Sequence, residues 1–211
     1  MTVKDKPTWV FDDRSKSYRD TASGQYISPK EAIKRRDEFI EAQKAITDRL
    51  TDQLSSRQID LNRWIMDMRE VTKDTYSTEY MWGKGGRNNM TQRDWGIIGR
   101  ELRDQYGFLD NFANDMAQGK LTEAQARVRA RMYIDGGTQM YERARSESMG
   151  LPRLSQYPAD GQTQCLTKCK CHLEYNKAES GWEVYWVLGD AEHCHDCEDM
   201  AAEWNPLQVS A

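Results

Sequence analysis

Apolar side chains recur at helical spacing through the middle of the chain. From residue 28 to about residue 54, and again from about 59 to 80, they lie three or four positions apart, which predicts two amphipathic helices. Ser28 caps the first of these helices, and Pro29 suits its first turn. A run rich in glycine and asparagine at 83–89 ends the second helix. We interpret this run as a structural connection rather than a phosphate-binding loop, because no strand precedes it.

Two more helices are predicted after this connection. A capping sequence begins at Thr91, apolar residues follow at helical spacing, and Gly119 is a C-terminal stop. A capping box at Thr122 opens a fourth helix, which extends to about Ser148. The glycine pair at 136–137 interrupts that helix and predicts a kink.

Short apolar and aromatic runs near both ends of the chain predict β structure instead. Those at 9–11, 18–20 and 25–27 are separated by polar turn residues. Strands this short do not fold alone, so we expect them to lie on another surface of this chain or of a neighbour. Runs at 173–175 and 182–188 flank an Asn/Ser/Gly turn and predict a hairpin.

These patterns define a mainly α chain of four parts. We predict a short β or extended N-terminal segment (1–27), a body of about four helices (28–149), a linker rich in Pro, Ser, Gly and Gln (150–164), and a small cysteine-rich, zinc-ribbon-like module (165–211). Only 38% of the residues are hydrophobic, and the mean hydropathy is −0.91. Such a polar chain favours a subunit completed by its neighbours, so a homo-oligomer or multi-copy assembly is expected.

The charge is divided unevenly. The net charge of −4 combines 10 acidic and 4 basic residues from Leu151 onward with 24 acidic and 26 basic residues before it. Neither part has the strongly basic character of a dedicated nucleic-acid binder. No apolar run reaches the length of a membrane span, and the N-terminus has no signal-peptide pattern, so we expect a reducing compartment and no membrane contact.

All five cysteines lie at or after position 165, in the arrangement Cys-x3-Cys-x-Cys followed by Cys-x2-Cys. Cysteines clustered in this way in a reducing compartment favour metal binding over disulfides. We predict one structural zinc ion per chain, because a hairpin with thiolates at its open end can supply four tetrahedral ligands. The predicted ligands are Cys165, Cys169, Cys194 and Cys197, with Cys171 as a substitute ligand. Cys165 and Cys169 are preferred because the x3 spacing closes a turn, whereas Cys169 and Cys171 would point apart along a strand.

Other interpretations of this region stay open. His172, His193 or His195 lies close enough in sequence to replace a thiolate, and the thiols could be free or disulfide-bonded. A catalytic metal would need an open coordination position and a nearby acid or base, for which Glu192 and Asp196 are the neighbouring carboxylates. No catalytic residue is predicted, since the helical body contains no histidine.

The fourth predicted helix is rich in arginine. Its arginines could meet phosphates or an acidic partner, but pairing with carboxylates on neighbouring helices is the interpretation we prefer. They are Arg127, Arg129, Arg131, Arg143 and Arg145.

Five segments form a combined pattern: Asp94-Trp-Gly-x-x-Gly99-x-x-Leu-Arg-x-Gln-Tyr106-x-x-Leu-x-x-Phe112, Arg129-Ala-Arg-x-Tyr133, Tyr141-Glu, Cys-Lys-Cys-His172 and Glu192-His-Cys-x-Asp-Cys197. Together they resemble minor head proteins of tailed bacteriophages, loosely related to the Mu-F-like head morphogenesis family. The resemblance extends from about Met90 to Trp204. In those proteins a helical body is similarly followed by a short Cys/His terminus.

This resemblance implies a structural virion protein, assembled in the host cytoplasm, with no catalytic activity. Its place would be the head or the head–tail junction, in a minor capsid or connector role during head assembly and DNA packaging. The implied partners are the portal, the major capsid protein or other head and connector proteins, with possible contact to packaged DNA. Two alternatives are a regulatory or nucleic-acid-binding zinc ribbon, which would predict a basic ribbon, and a metal-dependent hydrolase.

Overall fold

The fold is mainly helical, as predicted. The computed structural model describes residues 9–12, 15 and 17–210. The first eight residues of the predicted N-terminal segment therefore lie outside the described residues, as does Ala211 at the end of the predicted module. In the described part of the chain, no helix combines the length and the apolar character that crossing a membrane requires.

The helical body follows the capping signals in the sequence. Ser28 Oγ accepts a hydrogen bond from the Glu31 N–H, and Thr91 and Thr122 each complete a capping box. The predicted fourth helix forms two helices, because the helix is interrupted at Gly136. The helices of the body are α1 (Pro29–Ser55), α2 (Leu61–Gly83), α3 (Gln92–Ala117), α4 (Glu123–Asp135) and α5 (Gly137–Ser148).

Helix α2 lies at the centre of the body, in contact with α1, α3 and α5. Its buried Trp64 packs edge-to-face on Phe112 of α3, at 5.4 Å between ring centroids. Its last residue, Gly83, lies against α5, where an added Cβ would be 2.7 Å from the Cβ of Ala144 and would also meet the Tyr141 carbonyl oxygen. Glycine at this position therefore sets the close approach of α2 and α5.

The N-terminal strands form an antiparallel sheet in the order β1-β2-β3, with β1 at Trp9–Asp12, β2 at Ser17–Asp20 and β3 at Tyr26–Ile27. Trp9 stacks on Trp82 of α2 at 5.2 Å with only 13° between the ring planes. The expectation that these strands lie on another surface is confirmed, and that surface belongs to the same chain.

The C-terminal module contains the predicted hairpin and two further elements. Strands β4 (His172–Ala178) and β5 (Gly181–Val187) pair antiparallel, and helix α6 (His195–Glu203) follows them. A third strand, β6 (Leu207–Ser210), pairs with β5 and completes the sheet. The sequence did not predict β6, because a four-residue segment is too short to show a strand pattern.

The segment 150–164 differs from the prediction of a linker. It has neither helix nor strand, but Leu151, Leu154, Tyr157 and Ala159 are buried in the same core as the cysteines. The Tyr157 hydroxyl accepts a hydrogen bond from the Leu154 N–H at 3.0 Å. The prediction is corrected accordingly: the segment is part of the module, and its Pro and Gly content reflects irregular backbone rather than a boundary.

Candidate metal centre

The hairpin brings both groups of cysteines to its open end. Strand β4 begins directly after Cys171, and His172, its first residue, pairs with Val187, the last residue of β5. The chain then returns through residues 188–193 to Cys194, which lies at the N-terminus of α6. The predicted arrangement of thiols on both sides of a hairpin opening is thus confirmed.

Three of the predicted ligands form one compact group. The ligand atoms of Cys165, Cys169 and Cys197 all lie within 4.8 Å of one another. The Cys197 sulfur is 3.5 Å from that of Cys165 and 3.6 Å from that of Cys169. In a tetrahedral zinc–thiolate site with bonds of about 2.3 Å, sulfurs are about 3.8 Å apart, so these separations fit a shared zinc ion.

Cys194 completes a cluster of four. Burial raises the pKa of the Cys194 thiol, but the backbone N–H groups and thiols of Cys165 and Cys197 near its sulfur outweigh burial and lower it overall. Backbone donors directed at a sulfur stabilise the thiolate, which is the form that binds metal.

Cys171 belongs to the same neighbourhood, and the reason given for setting it aside was wrong. Residues two apart in a strand share a face rather than pointing apart, and the segment is not a strand, since β4 begins only at His172. Both cysteines are buried in the module. The interaction between the two thiols raises the pKa of Cys169 and lowers that of Cys171. The buried indole N–H of Trp186 has no conventional partner, but it is close enough to the Cys171 sulfur to help lower its pKa.

The histidines do not join the group of clustered ligands in the described part of the chain. The side chain of His195 is 76% exposed and that of His172 is 45% exposed, each near a surface carboxylate. Asp196, one of the two candidate acids beside the cluster, accepts a hydrogen bond from the Gln164 N–H at 2.7 Å. It ties residue 164 to α6 and has a structural role.

A small apolar core encloses the cysteines. Trp186 and Trp204 pack edge-to-face at 5.6 Å, and Leu173 and Met200 are buried beside them. Cys197 is 1% exposed, and this burial raises the pKa of its thiol. A divalent cation would remove the cost of burying thiolates here, so the donor set and its surroundings fit a structural zinc ion.

The arginines of α4 are paired, as the preferred interpretation predicted. Arg129 contacts Asp115 of α3 at 2.9 Å, and Arg127 contacts Asp52 of α1 at 2.6 Å. Arg131 pairs with Asp48 of α1. These guanidinium groups link α4 to its neighbouring helices and are not free to bind phosphates.

A buried ion pair lies in the body close to where the module contacts it, and the sequence did not predict it. Arg36 of α1 binds the fully buried Glu79 of α2 through both carboxylate oxygens, at 2.6 to 3.0 Å. Burial raises the pKa of Glu79, but the guanidinium of Arg36 keeps its proton and favours the ionised carboxylate. Charged residues at helical spacing look the same in sequence whether they face water or a core.

Next to this pair, a cavity of about 540 Å³ separates α1 and α5 from the segment before β4. Glu142 of α5 lies on its wall with a pKa raised by burial, and one of its carboxylate oxygens has no hydrogen-bond partner. Arg145 donates a hydrogen bond to the Leu173 carbonyl oxygen at 3.0 Å. Polar contacts as well as apolar packing therefore join the module to the body.

Comparison of the chain with protein-family models, with curated proteins and with solved structures gives no match.

Proposed function

We propose that this chain is a structural protein of a bacteriophage virion, in the head or at the head–tail junction, whose C-terminal module is held by one zinc ion. The observation that carries the proposal is the thiol cluster of Cys165, Cys169, Cys194 and Cys197. In this proposal the cysteines stabilise the fold of the module and take no part in a reaction. The virion half of the proposal rests in addition on the resemblance of the segment from Met90 to Trp204 to minor head proteins.

A structural role for the zinc ion follows from the ligand set. Four thiolates fill a tetrahedral zinc ion and leave no position for substrate or water. Zinc would cross-link the start of the hairpin, through Cys165 and Cys169, to α6, through Cys197. In a module with so small a core, this link would supply much of the folding free energy.

The nucleic-acid-binding alternative is disfavoured by charge. The exposed surface of α6 carries Glu198, Asp199 and Glu203, and the chain from Leu151 onward has a net charge of −6. Binding to a phosphate backbone depends on basic residues that displace counterions. An acidic module is suited instead to a protein partner with a basic surface.

Metal analysis tests the zinc half of the proposal. Elemental analysis of the purified full-length protein is expected to give about one zinc ion per chain. Cys194→Ser is expected to lose zinc and Cys171→Ser to retain it. A protein that binds no zinc and keeps its fold in a chelator would refute the structural site, and the opposite result for the two variants would make Cys171 the fourth ligand.

A separate experiment tests the virion half. Purified protein would be mixed with a portal protein and with a major capsid protein of tailed bacteriophages, and co-sedimentation would be measured. Binding to one of them is expected, together with detection of the chain in purified particles by mass spectrometry. Absence from particles would refute the virion role and leave the zinc result unaffected. Salt-dependent binding to DNA by the isolated protein would support the nucleic-acid alternative instead.

A further inference from the structure

The outward face of α3 is built differently from the other helix surfaces of the body. Gly96, Arg100, Arg103 and Gly107 are all exposed and follow one another at intervals of four, three and four residues. This spacing places them along one line of the helix, over about 16 Å. Trp95, whose surface is 40% exposed, flanks the same line.

The arginines on this face have no partner in the part of the chain that the structure describes. Among the described residues, Arg100 and Arg103 form no ion pair and no side-chain hydrogen bond, and neither does Arg93 one turn before. By contrast, Arg127 and Arg129 on α4 bind carboxylates at 2.6 and 2.9 Å. Arg100 and Arg103 therefore leave unpaired positive charge on the surface of α3, beside the exposed Asp104, whereas the arginines of α4 are paired.

The glycines on this face are unexplained by packing within the chain. A Cβ added at Gly96, Gly99 or Gly107 would meet no described atom within 4 Å other than the adjoining backbone of α3 itself. Each glycine in a helix interior costs about 1 kcal/mol relative to alanine. Beside unpaired arginines, the glycines would let another backbone approach closely enough for those side chains to reach it.

A surface of opposite charge and similar length lies elsewhere on the same chain. The exposed side of α6 carries Glu198, Asp199 and Glu203, with the small residue Ala202 between them. The nine residues of this helix extend over about 13 Å, which matches the line on α3. In the described part of the chain no ion pair joins α3 to α6, so the two surfaces do not neutralise each other within one copy.

We propose that the outward face of α3 in one copy of the chain binds the acidic face of α6 in a second copy. Because the two faces are different surfaces, the contact can repeat head to tail in a ring or an open series of subunits, or form twice, reciprocally, in a twofold dimer. This inference rests on the multi-copy part of the proposed function, but it depends neither on a phage partner nor on DNA.

The size of the contact predicts its strength. A nine-residue helix against one line of α3 buries less than the roughly 1,200 Å² found in stable complexes, so each contact is weak and reversible. The charges lie at the exposed edges of the contact, so salt weakens their attraction. At physiological ionic strength the Debye screening length is about 8 Å. Association in the micromolar range or weaker, decreasing with salt, is therefore expected.

Sedimentation velocity on the full-length, zinc-loaded protein over a range of concentrations tests the contact. We expect the average mass to rise with concentration at low salt. Arg100→Glu/Arg103→Glu and Asp199→Lys/Glu203→Lys should each weaken association by about tenfold or more. An equimolar mixture of the two double variants should restore it, because acidic α3 then meets basic α6. Arg49→Glu/Arg153→Glu, which reverses two exposed arginines elsewhere, is the matched control.

Zinc content is measured for each variant, so that loss of the module is distinguished from loss of the contact. A wild-type protein that stays monomeric at every concentration would overturn the inference. So would association that the control variant weakens as much as the α3 variant does, or a mixture that fails to recover. None of these outcomes bears on whether the chain is found in virions.

Discussion

The helical body and the C-terminal module are stabilised in different ways. In the body, large buried side chains such as Trp64, Trp82 and Tyr76 pack between long helices, and a buried ion pair adds polar contacts. In the module a single core includes the buried cysteines Cys169 and Cys197. The first kind of stability belongs to the packed helices themselves, whereas the second would depend on a metal ion if the thiols hold the proposed zinc.

Metal removal should produce the largest effect, and it should separate the two regions. A chelator, or the substitution Cys197→Ser, is expected to unfold the module, because zinc binding supplies on the order of 10 kcal/mol to small thiolate domains. The body should keep its helices, since its core contains no cysteine. Hydrogen exchange followed by mass spectrometry would show rapid exchange in β4 and β5 but continued protection in α2.

Cys171→Ser is the matched control for this experiment, because it alters a buried thiol that the proposed ligand set does not need. Protection of β4 and β5 after complete zinc removal would show that packing alone holds the module. Loss of protection in α2 would show that the two regions fold as one unit.

The next largest effect is expected inside the body. Arg36→Ala leaves the fully buried Glu79 without its partner, and removal of one member of a buried pair costs about 3–5 kcal/mol. Arg63→Ala removes an exposed pair with Asp67 and should cost less than about 1 kcal/mol. Denaturant unfolding followed by circular dichroism at 222 nm measures both free energies. Equal effects of the two substitutions would mean that Glu79 is neutral or solvated after the change.

Local features of the body and the module could be predicted from the sequence, whereas long-range contacts could not. Helix ends were predictable at Ser28, Thr91 and Thr122 because capping is a local interaction. The hairpin and the clustering of its flanking thiols followed from alternation and spacing. The partners of charged residues were not predictable, because Arg36 and Glu79 meet across 43 residues of chain.

The position of Cys171 shows a second limit of sequence reasoning. The prediction took Cys169 and Cys171 to point apart along a strand, although residues two apart in a strand lie on the same face. The strand begins only at His172, and both cysteines are buried in one core before it. Side-chain direction in a loop depends on tertiary contacts, which spacing alone does not contain.

Two glycine substitutions should change the stability of the body by smaller amounts and in opposite directions. Gly83→Ala places a methyl group against Ala144 and the Tyr141 carbonyl oxygen, so we expect a loss of about 1–3 kcal/mol from overpacking. Gly96→Ala meets no atom within 4 Å and should stabilise the isolated monomer by up to about 1 kcal/mol. Thermal unfolding of both variants at low concentration measures the difference. Destabilisation by Gly96→Ala would mean that the surface of α3 is covered even in the monomer.

The smallest expected effect concerns the N-terminal sheet, which belongs to the body through Trp9 and through Asp20. Asp20 accepts hydrogen bonds from the Ser23 N–H and from Arg35 of α1, the latter at 2.7 Å, and these bonds lower its pKa to about 2. Because the folded-state pKa lies below the value of 3.8 expected when unfolded, Asp20 contributes its full stabilisation above pH 3.8 and loses it as the pH falls toward 2. Denaturant unfolding of the wild-type protein and of Asp20→Asn should therefore differ at pH 6, approach each other as the pH falls through 3, and converge only below about pH 2. A difference that stays constant across this range would mean that Asp20 is not charged in the folded protein, and that packing of Trp9 alone attaches the sheet to the body.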